Sequence, residues 1–218
     1  MRTKFEGQLT ELRKKIINMG KMVEKSIEMA MQSLKEKNIE IAKKVIANDE
    51  LINNLEHEIE QLCTHLVATQ QPFASDLRTI VAAYKLILSL ERMGDLAVDI
   101  AKVSIRIGDV PIIKPLIDLP KMVEIVIKMI HHSIGAYINI DVDAARKLAE
   151  MDHEVDHYYK KIFVEVLEIM EKNPKTVPQA VQLLLVARYV ERIGDYCTNI
   201  GEEVIYMELG IREDLNKD

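Results

Sequence analysis

Carboxylates recur in this sequence at spacings that place them along single helix faces. Glu91, Asp95 and Asp99 follow one another at i, i+4 and i+8. A helix carries such residues along one side, drifting by ~40° per step. A second stripe holds Asp49, Asn53, Glu56 and Glu60, with Val45 before it and Cys63 and Val67 after it. Both patterns return in the second half of the chain: Glu191, Asp195 and Asn199 repeat the first, and Asp152 and Asp156 repeat the second. Carboxylates brought face to face repel one another, and burying them unpaired costs several kcal/mol each. Either protonation or a bound cation relieves that repulsion. The donors are carboxylate and amide oxygens, with no thiolate in the stripe. Such a set suits hard cations such as calcium, magnesium, manganese or iron rather than a structural zinc ion. The candidate metal ligands are therefore Asp49, Asn53, Glu91, Asp95, Asp99, Asp152, Asp156, Glu191, Asp195 and Asn199. The competing reading is that the stripes edge into solvent and pair with Arg92, Arg188 and Arg192.

Whether the stripes can meet depends on the turns between them. If the helices on either side of Pro72 form an antiparallel hairpin, facing residues have numbers that sum to about 144. Asp49 then faces Asp95 and Asn53 faces Glu91. In the second half, Asp152 with Asp195 and Asp156 with Glu191 both sum to 347, which centres the turn between Asn173 and Pro174. Neither turn position is chosen from the carboxylates, so the agreement is informative.

The elements that position these residues are helices throughout. Apolar residues recur at helical spacing almost everywhere, and only 8 Gly and 6 Pro interrupt the 218 residues. The first helix is expected from about Phe5 to Lys37, striped by Leu9, Leu12, Ile16, Met19, Val23, Ile27, Ala30 and Leu34. The second follows an Asn38 cap. The third has Pro72 in its first turn and stops at Gly108. The fourth spans about Lys121 to Ile138. The fifth follows an Asp141 cap to Lys172, and the sixth runs from about Thr176 to Leu209. On the third helix, Leu77, Ile80, Tyr84 and Leu88 precede Glu91 on one face, which predicts an apolar, packed stripe that turns acidic. On the fifth, Leu148, Val155, Tyr159, Phe163 and Val166 are expected to face the core.

The halves repeat. The segment LERMGDLAVDIA at 90–101 matches VERIGDYCTNIG at 190–201, and NDELINNLEHEI at 48–59 lines up with MDHEVDHYYKKI at 151–162. Matching elements in one order at nearly one offset indicate an internal repeat. The expected fold is all-α: two tandem three-helix bundles, residues 1–108 and 121–218, joined by a linker at 109–120 that carries Pro111, Pro115 and Pro120.

Composition narrows the function. A net charge of -6 argues against a nucleic-acid binder. No apolar run approaches the ~20 residues of a membrane span, and nothing reads as a signal peptide, so a cytoplasmic location is expected. Cys63 and Cys197 sit on apolar stripes and read as core residues. His153-Glu154-Val155-Asp156-His157 fits a zinc-protease pattern, but both histidines fall on the side of Arg146 and Lys160 and are expected to be exposed. The same residues supply one Glu-x-x-His pair, whereas a ferritin-like di-iron bundle needs two. His131 and His132 carry no assignment.

At these residues the chain resembles the PhoU family, regulators associated with the high-affinity phosphate ABC transporter. The resemblance rests on MGKMVEKSIEMA at 19–30, VIANDELINNLEHEIE at 45–60, QQPFASDLR at 70–78 and the doubled Glu-Arg-x-Gly-Asp segments, and it spans nearly the whole chain. It implies two pseudo-two-fold-related bundles and a Glu/Asp-x-x-x-Asp motif that binds metal clusters in some members. That motif falls on Glu91, Asp95 and Asp99, and on Glu191, Asp195 and Asn199. Asn53 departs from an expected Asp, and Tyr196 from a common His. The implied role is a non-catalytic adaptor that restrains phosphate uptake and the phosphate-starvation response. Its implied partners are the transporter ATPase and a sensor histidine kinase. A homodimer is expected, with neither nucleic-acid binding nor membrane insertion. The alternatives are a dinuclear carboxylate-metal enzyme of ferritin-like type and an accessory subunit of another phosphate transporter.

Overall fold

The computed structural model describes residues 2–114 and 116–216, with side chains from residue 5 onward. Six helices account for nearly all of it: α1 (Arg2–Glu36), α2 (Ile39–Gln70), α3 (Ala74–Ile107), α4 (Asp118–Asn139), α5 (Val142–Lys172) and α6 (Val177–Leu209). A 3₁₀ turn (Pro174–Thr176) precedes α6. Helix makes up 89% of the chain, and there is no strand among the described residues.

The two halves use the same local chemistry at the same places. Asn38 caps α2, its Oδ1 accepting from the Glu40 and Ile41 amides, and Asp141 caps α5 by accepting from the Ala144 amide. The residue before each cap is left-handed: Lys37 at φ 54 and Ile140 at φ 55. Both turns close with the same pair of bonds. Asn38 N–H donates to Ser33 O at 2.9 Å and Lys37 N–H to Leu34 O at 3.4 Å; Asp141 and Ile140 repeat these on Ala136 and Tyr137 at 2.9 and 3.4 Å. These bonds satisfy carbonyls that a helix end would otherwise leave orphaned and hold two non-glycine residues in a disfavoured conformation.

Helices α2, α3, α6 and α5 lie side by side in that order, with α1 against α2 and α3, and α4 against α5 and α6. Helices α3 and α6 join the halves. Arg78 Nε donates to Met207 O at 3.0 Å, Lys85 Nζ to Glu203 at 2.8 Å and Arg106 Nη1 to Gln182 Oε1 at 3.2 Å. The partner numbers fall as the first numbers rise, so the two helices run antiparallel. Helices α1 and α4 also touch, and Ile134 fills the space a side chain at Gly20 would need. The core lies between the two layers. Leu12, Ile16, Met19, Val23, Ile27 and Leu34 of α1 are buried in it, and so are Cys63 and Cys197.

Three expectations need correction. Pro72 lies just outside α3, whose N-cap is Phe73. Helix α4 starts at Asp118 rather than at Lys121, so Pro120 sits in its first turn. Proline fits there because those amides have no helical acceptor to lose. Linker residue Pro115 lies outside the described residues. The largest change concerns facing. Leu77 and Leu88 on α3 and Phe163 on α5 are about 40% exposed, while Ile162 takes the core position on α5. The acidic stripe of α3 therefore continues an outward-leaning flank, not a packed one. In the four-helix layer α3 and α6 each contact a neighbour on both sides and one helix of the layer behind, while α2 and α5 at its edges contact one neighbour and one helix behind, so every helix keeps its outer side uncovered.

Candidate metal centre

Helices α2 and α3 bring Asp49 beside Asp95, and Asp49 Oδ1 lies 3.4 Å from where a Cβ on Gly94 would stand. Asn53 Nδ2 donates to Asp49 Oδ2 at 3.3 Å. That bond leaves Asp49 Oδ1 and Asn53 Oδ1 buried without a hydrogen-bond donor. Burial first, and the Asp95 charge second, raises the Asp49 carboxyl above its usual range. Burial likewise raises Glu91, helped by Asp95, Glu56 and Asp49. Arg92 partly offsets this, 3.4 Å from both Glu91 and Asp95. Asp99 stands at the rim, ion-paired to Lys102 at 3.1 Å.

The second half repeats the arrangement more deeply. Asp152 on α5 is only 9% exposed and Glu191 on α6 only 8%. Asp152 Oδ1 approaches so near Gly194 that a Cβ there would stand 2.7 Å away. The glycine of the second Glu-Arg-x-Gly-Asp segment is thus what lets Asp152 approach, whereas a Cβ on Gly94 would make an ordinary contact with Asp49. Burial, then the Asp195 and Asp156 charges, push Glu191 up to about 7 against the pull of Arg188, its ion-pair partner. Glu191 Oε2 is buried with no donor. Asp195 is raised by burial and by Asp156, while Arg188 and Arg192 pull the other way. Asp156 is half-buried, 3.9 Å from Lys160. Asn199, one turn beyond, is exposed.

The hairpin register thus sets Asp49 by Asp95 and Glu191 by Asp156, as their spacing requires. These residues fit a hard cation. Each cluster has buried oxygens that lack a donor and carboxyls that resist ionisation together, and a divalent ion relieves both. Asp49, Asn53, Glu91 and Asp95 would hold the first ion. Asp152, Asp156, Glu191 and Asp195 would hold the second, with Asp99 and Asn199 at the margins. An aspartate at the Asn53 position would add a charge to the first site; the second keeps its Asp156.

A further group escapes the stripe pattern. Glu56, His57 and Glu60 each present one ligand atom, all within 4.8 Å of one another, the tightest such group of acids and histidines among the described residues. His57 Nδ1 lies 2.9 Å from Glu56 and 3.7 Å from Glu60. Glu56 and Glu60 lie on the acidic stripe, and their i, i+4 spacing with His57 between them is the signal that could have added the histidine. His153 and His157 are exposed, as their helix position predicts.

The raised Glu191 carries a pH prediction for the chelated protein. Its folded pKa lies above the ordinary 4.5, so its protonated form stabilises the fold. That contribution is complete below about pH 4.5 and is lost as pH rises through about 7. Chelated protein should therefore melt higher at pH 6 than at pH 8, and Glu191→Gln should flatten that slope. An equal slope in the variant would show that another group titrates.

Comparisons with known proteins agree with this architecture. A family model described as the PhoU domain matches twice, over residues 16–104 and 119–204. The chain is 39% identical to the phosphate-specific transport system accessory protein PhoU homolog of Clostridium acetobutylicum, over 97% of each chain. It is 32% identical to the phosphate-specific transport system accessory protein PhoU of Escherichia coli strain K12, over 94% of this chain and 86% of that one. The crystal structure of PhoU from Pseudomonas aeruginosa superposes with a TM-score of 0.88 at 32% identity, covering 95% of this chain and 100% of that one. That of the phosphate transport system regulatory protein PhoU from Streptococcus pneumoniae gives 0.90 at 28% identity, covering 96% and 99%.

Proposed function

The chain belongs to the PhoU family, and from that premise we propose that it is a cytoplasmic, non-catalytic adaptor of a phosphate transport system. In this reading it restrains phosphate uptake and the phosphate-starvation response when phosphate is plentiful. Its partners are the ATPase of the transporter and a sensor histidine kinase, and it acts as a homodimer. The names of its relatives support the accessory role, and no described helix is long and apolar enough to cross a membrane.

The observation that carries the reading is the duplication of the acidic cluster across α2/α3 and α5/α6. A divalent cation in each cluster ties the two helices of a hairpin together and holds the outer face in one shape. The Glu-x-x-His pairs of α5, Glu150 with His153 and Glu154 with His157, are all exposed, which argues for a structural ion over a ferritin-like redox centre.

The test is a reporter of a phosphate-starvation promoter in a strain lacking this protein, grown in high phosphate. Reporter expression should rise at least tenfold, and the wild-type gene should restore repression. Unchanged repression, with no transporter or kinase recovered by crosslinking, would remove the adaptor reading.

A further inference from the structure

The two hairpins differ beside their acidic clusters. Between α2 and α3, toward the Pro72 turn, lies a groove of about 350 Å³ whose lining includes the exposed Thr64, Val67, Ala68 and Val81 and the half-buried Tyr84. The repeat offset places Leu167 and Glu171 of α5 where the first half has Thr64 and Ala68. Larger side chains therefore stand at those positions in the second half, while the small ones leave the first open. The groove runs directly into negative charge. Tyr84, on its wall, donates its hydroxyl to Glu60 at 3.3 Å, and Glu60 stands with Glu56 around His57. At the positions of Glu56 and Glu60 the second half has Tyr159 and Phe163. The apolar groove thus ends beside an acid, Glu60, whose counterpart in the second half is Phe163.

We propose that this groove docks one helix of a partner protein, whose apolar side chain fills the space over Ala68 and whose lysine or arginine pairs with Glu60. Charge complementarity selects this occupant. Glu60 lies eight residues along α2 from Ala68, or about 12 Å at 1.5 Å per residue. A docked helix lying along α2 matches that spacing with a basic residue about two turns beyond its apolar anchor. Apolar anchors flanked by charge are the usual grammar of helix-in-groove recognition, and the acidic rim rejects an acidic helix. This deepens the adaptor reading by locating one contact surface.

The experiment uses labelled helical peptides with two leucines on one face and a lysine two turns on, made in both sequence orders, and their glutamate counterparts. Fluorescence anisotropy with the full-length protein should show a lysine peptide binding at least tenfold more tightly than its glutamate counterpart. Ala68→Leu, which places a large side chain in the groove, should weaken that peptide about tenfold without changing the circular dichroism. Glu60→Lys should narrow or reverse the charge preference. Equal binding of lysine and glutamate peptides, or affinity unmoved by Ala68→Leu, would overturn the proposal. So would a drop in oligomer size in Ala68→Leu, because it would assign the groove to a second copy of this chain. A strain carrying Ala68→Leu that still represses the reporter, beside a deletion strain that does not, would remove the groove and leave the adaptor reading intact.

Discussion

Replacing Asp95 and Asp195 together by alanine should abolish most of the metal-dependent stabilisation of this protein. Each is the acid of its Glu-Arg-x-Gly-Asp segment, each faces the neighbouring helix of its hairpin, and Asp195 is held above its usual range by burial. A cation that binds only the folded state at about a hundred times its dissociation constant adds about 2.7 kcal/mol per site. In a chain of this size about 1 kcal/mol moves the Tm by about 2–4 °C. With two sites filled, saturating manganese should thus raise the Tm of the parent by about 10–20 °C over the chelated protein. In the double variant that difference should fall close to zero, and elemental analysis of gently purified protein should show the metal gone. With chelator present the variant should melt no lower than the parent, since it has lost two repelling charges. Equal metal content in parent and variant would show that the ligands lie elsewhere.

The second large effect is expected at Gly194. In an ordinary helix interior, glycine to alanine gains up to about 1 kcal/mol. At Gly194 the added methyl would stand 2.7 Å from Asp152 Oδ1 and 3.6 Å from Val155. Asp152 is short and nearly buried, so either its carboxylate swings away from α6 or α5 parts from α6. Overpacking of this kind costs about 1–3 kcal/mol, which outweighs the helix gain. Gly194→Ala should lower stability by about 1–2 kcal/mol in denaturant titrations and lose the second ion. Gly94→Ala is the control. There the methyl meets the end of the flexible Ile52 side chain at 3.3 Å and Asp49 at 3.4 Å, contacts that relax with small movements. A Gly194→Ala protein as stable as the parent, with both ions retained, would refute this account.

Some of this protein is legible in its residues alone, because the deciding forces are local. Asn38 and Asp141 cap helices wherever the chain places them, since the cap bonds reach only the next few amides. The register of each hairpin follows from the constant rise of a helix and the position of its turn, so Asp49 meets Asp95 without any knowledge of the bundle. Duplication of the Glu-Arg-x-Gly-Asp segments sets the pseudo-symmetry for the same reason. Pro72 and Pro120 were harder to place because proline is accepted both just before a helix and within its first turn.

Only the tertiary structure decided which sides of those helices face solvent. Periodicity says that Leu77, Leu88 and Phe163 share faces with other apolar residues. It does not say that α1 and α4 both pack behind one layer and leave its other side open. Long-range pairing decided the rest: Lys85 with Glu203, and Arg78 with the Met207 carbonyl, fix α3 against α6 across more than a hundred residues of sequence. No local pattern encodes such a partner, because it depends on where two distant surfaces come to rest. The depth of Glu191 and the closeness of Asp152 to Gly194 belong to the same class. The sequence determined which groups meet within each hairpin, and packing between layers determined how dry, and therefore how reluctant to ionise, those groups became.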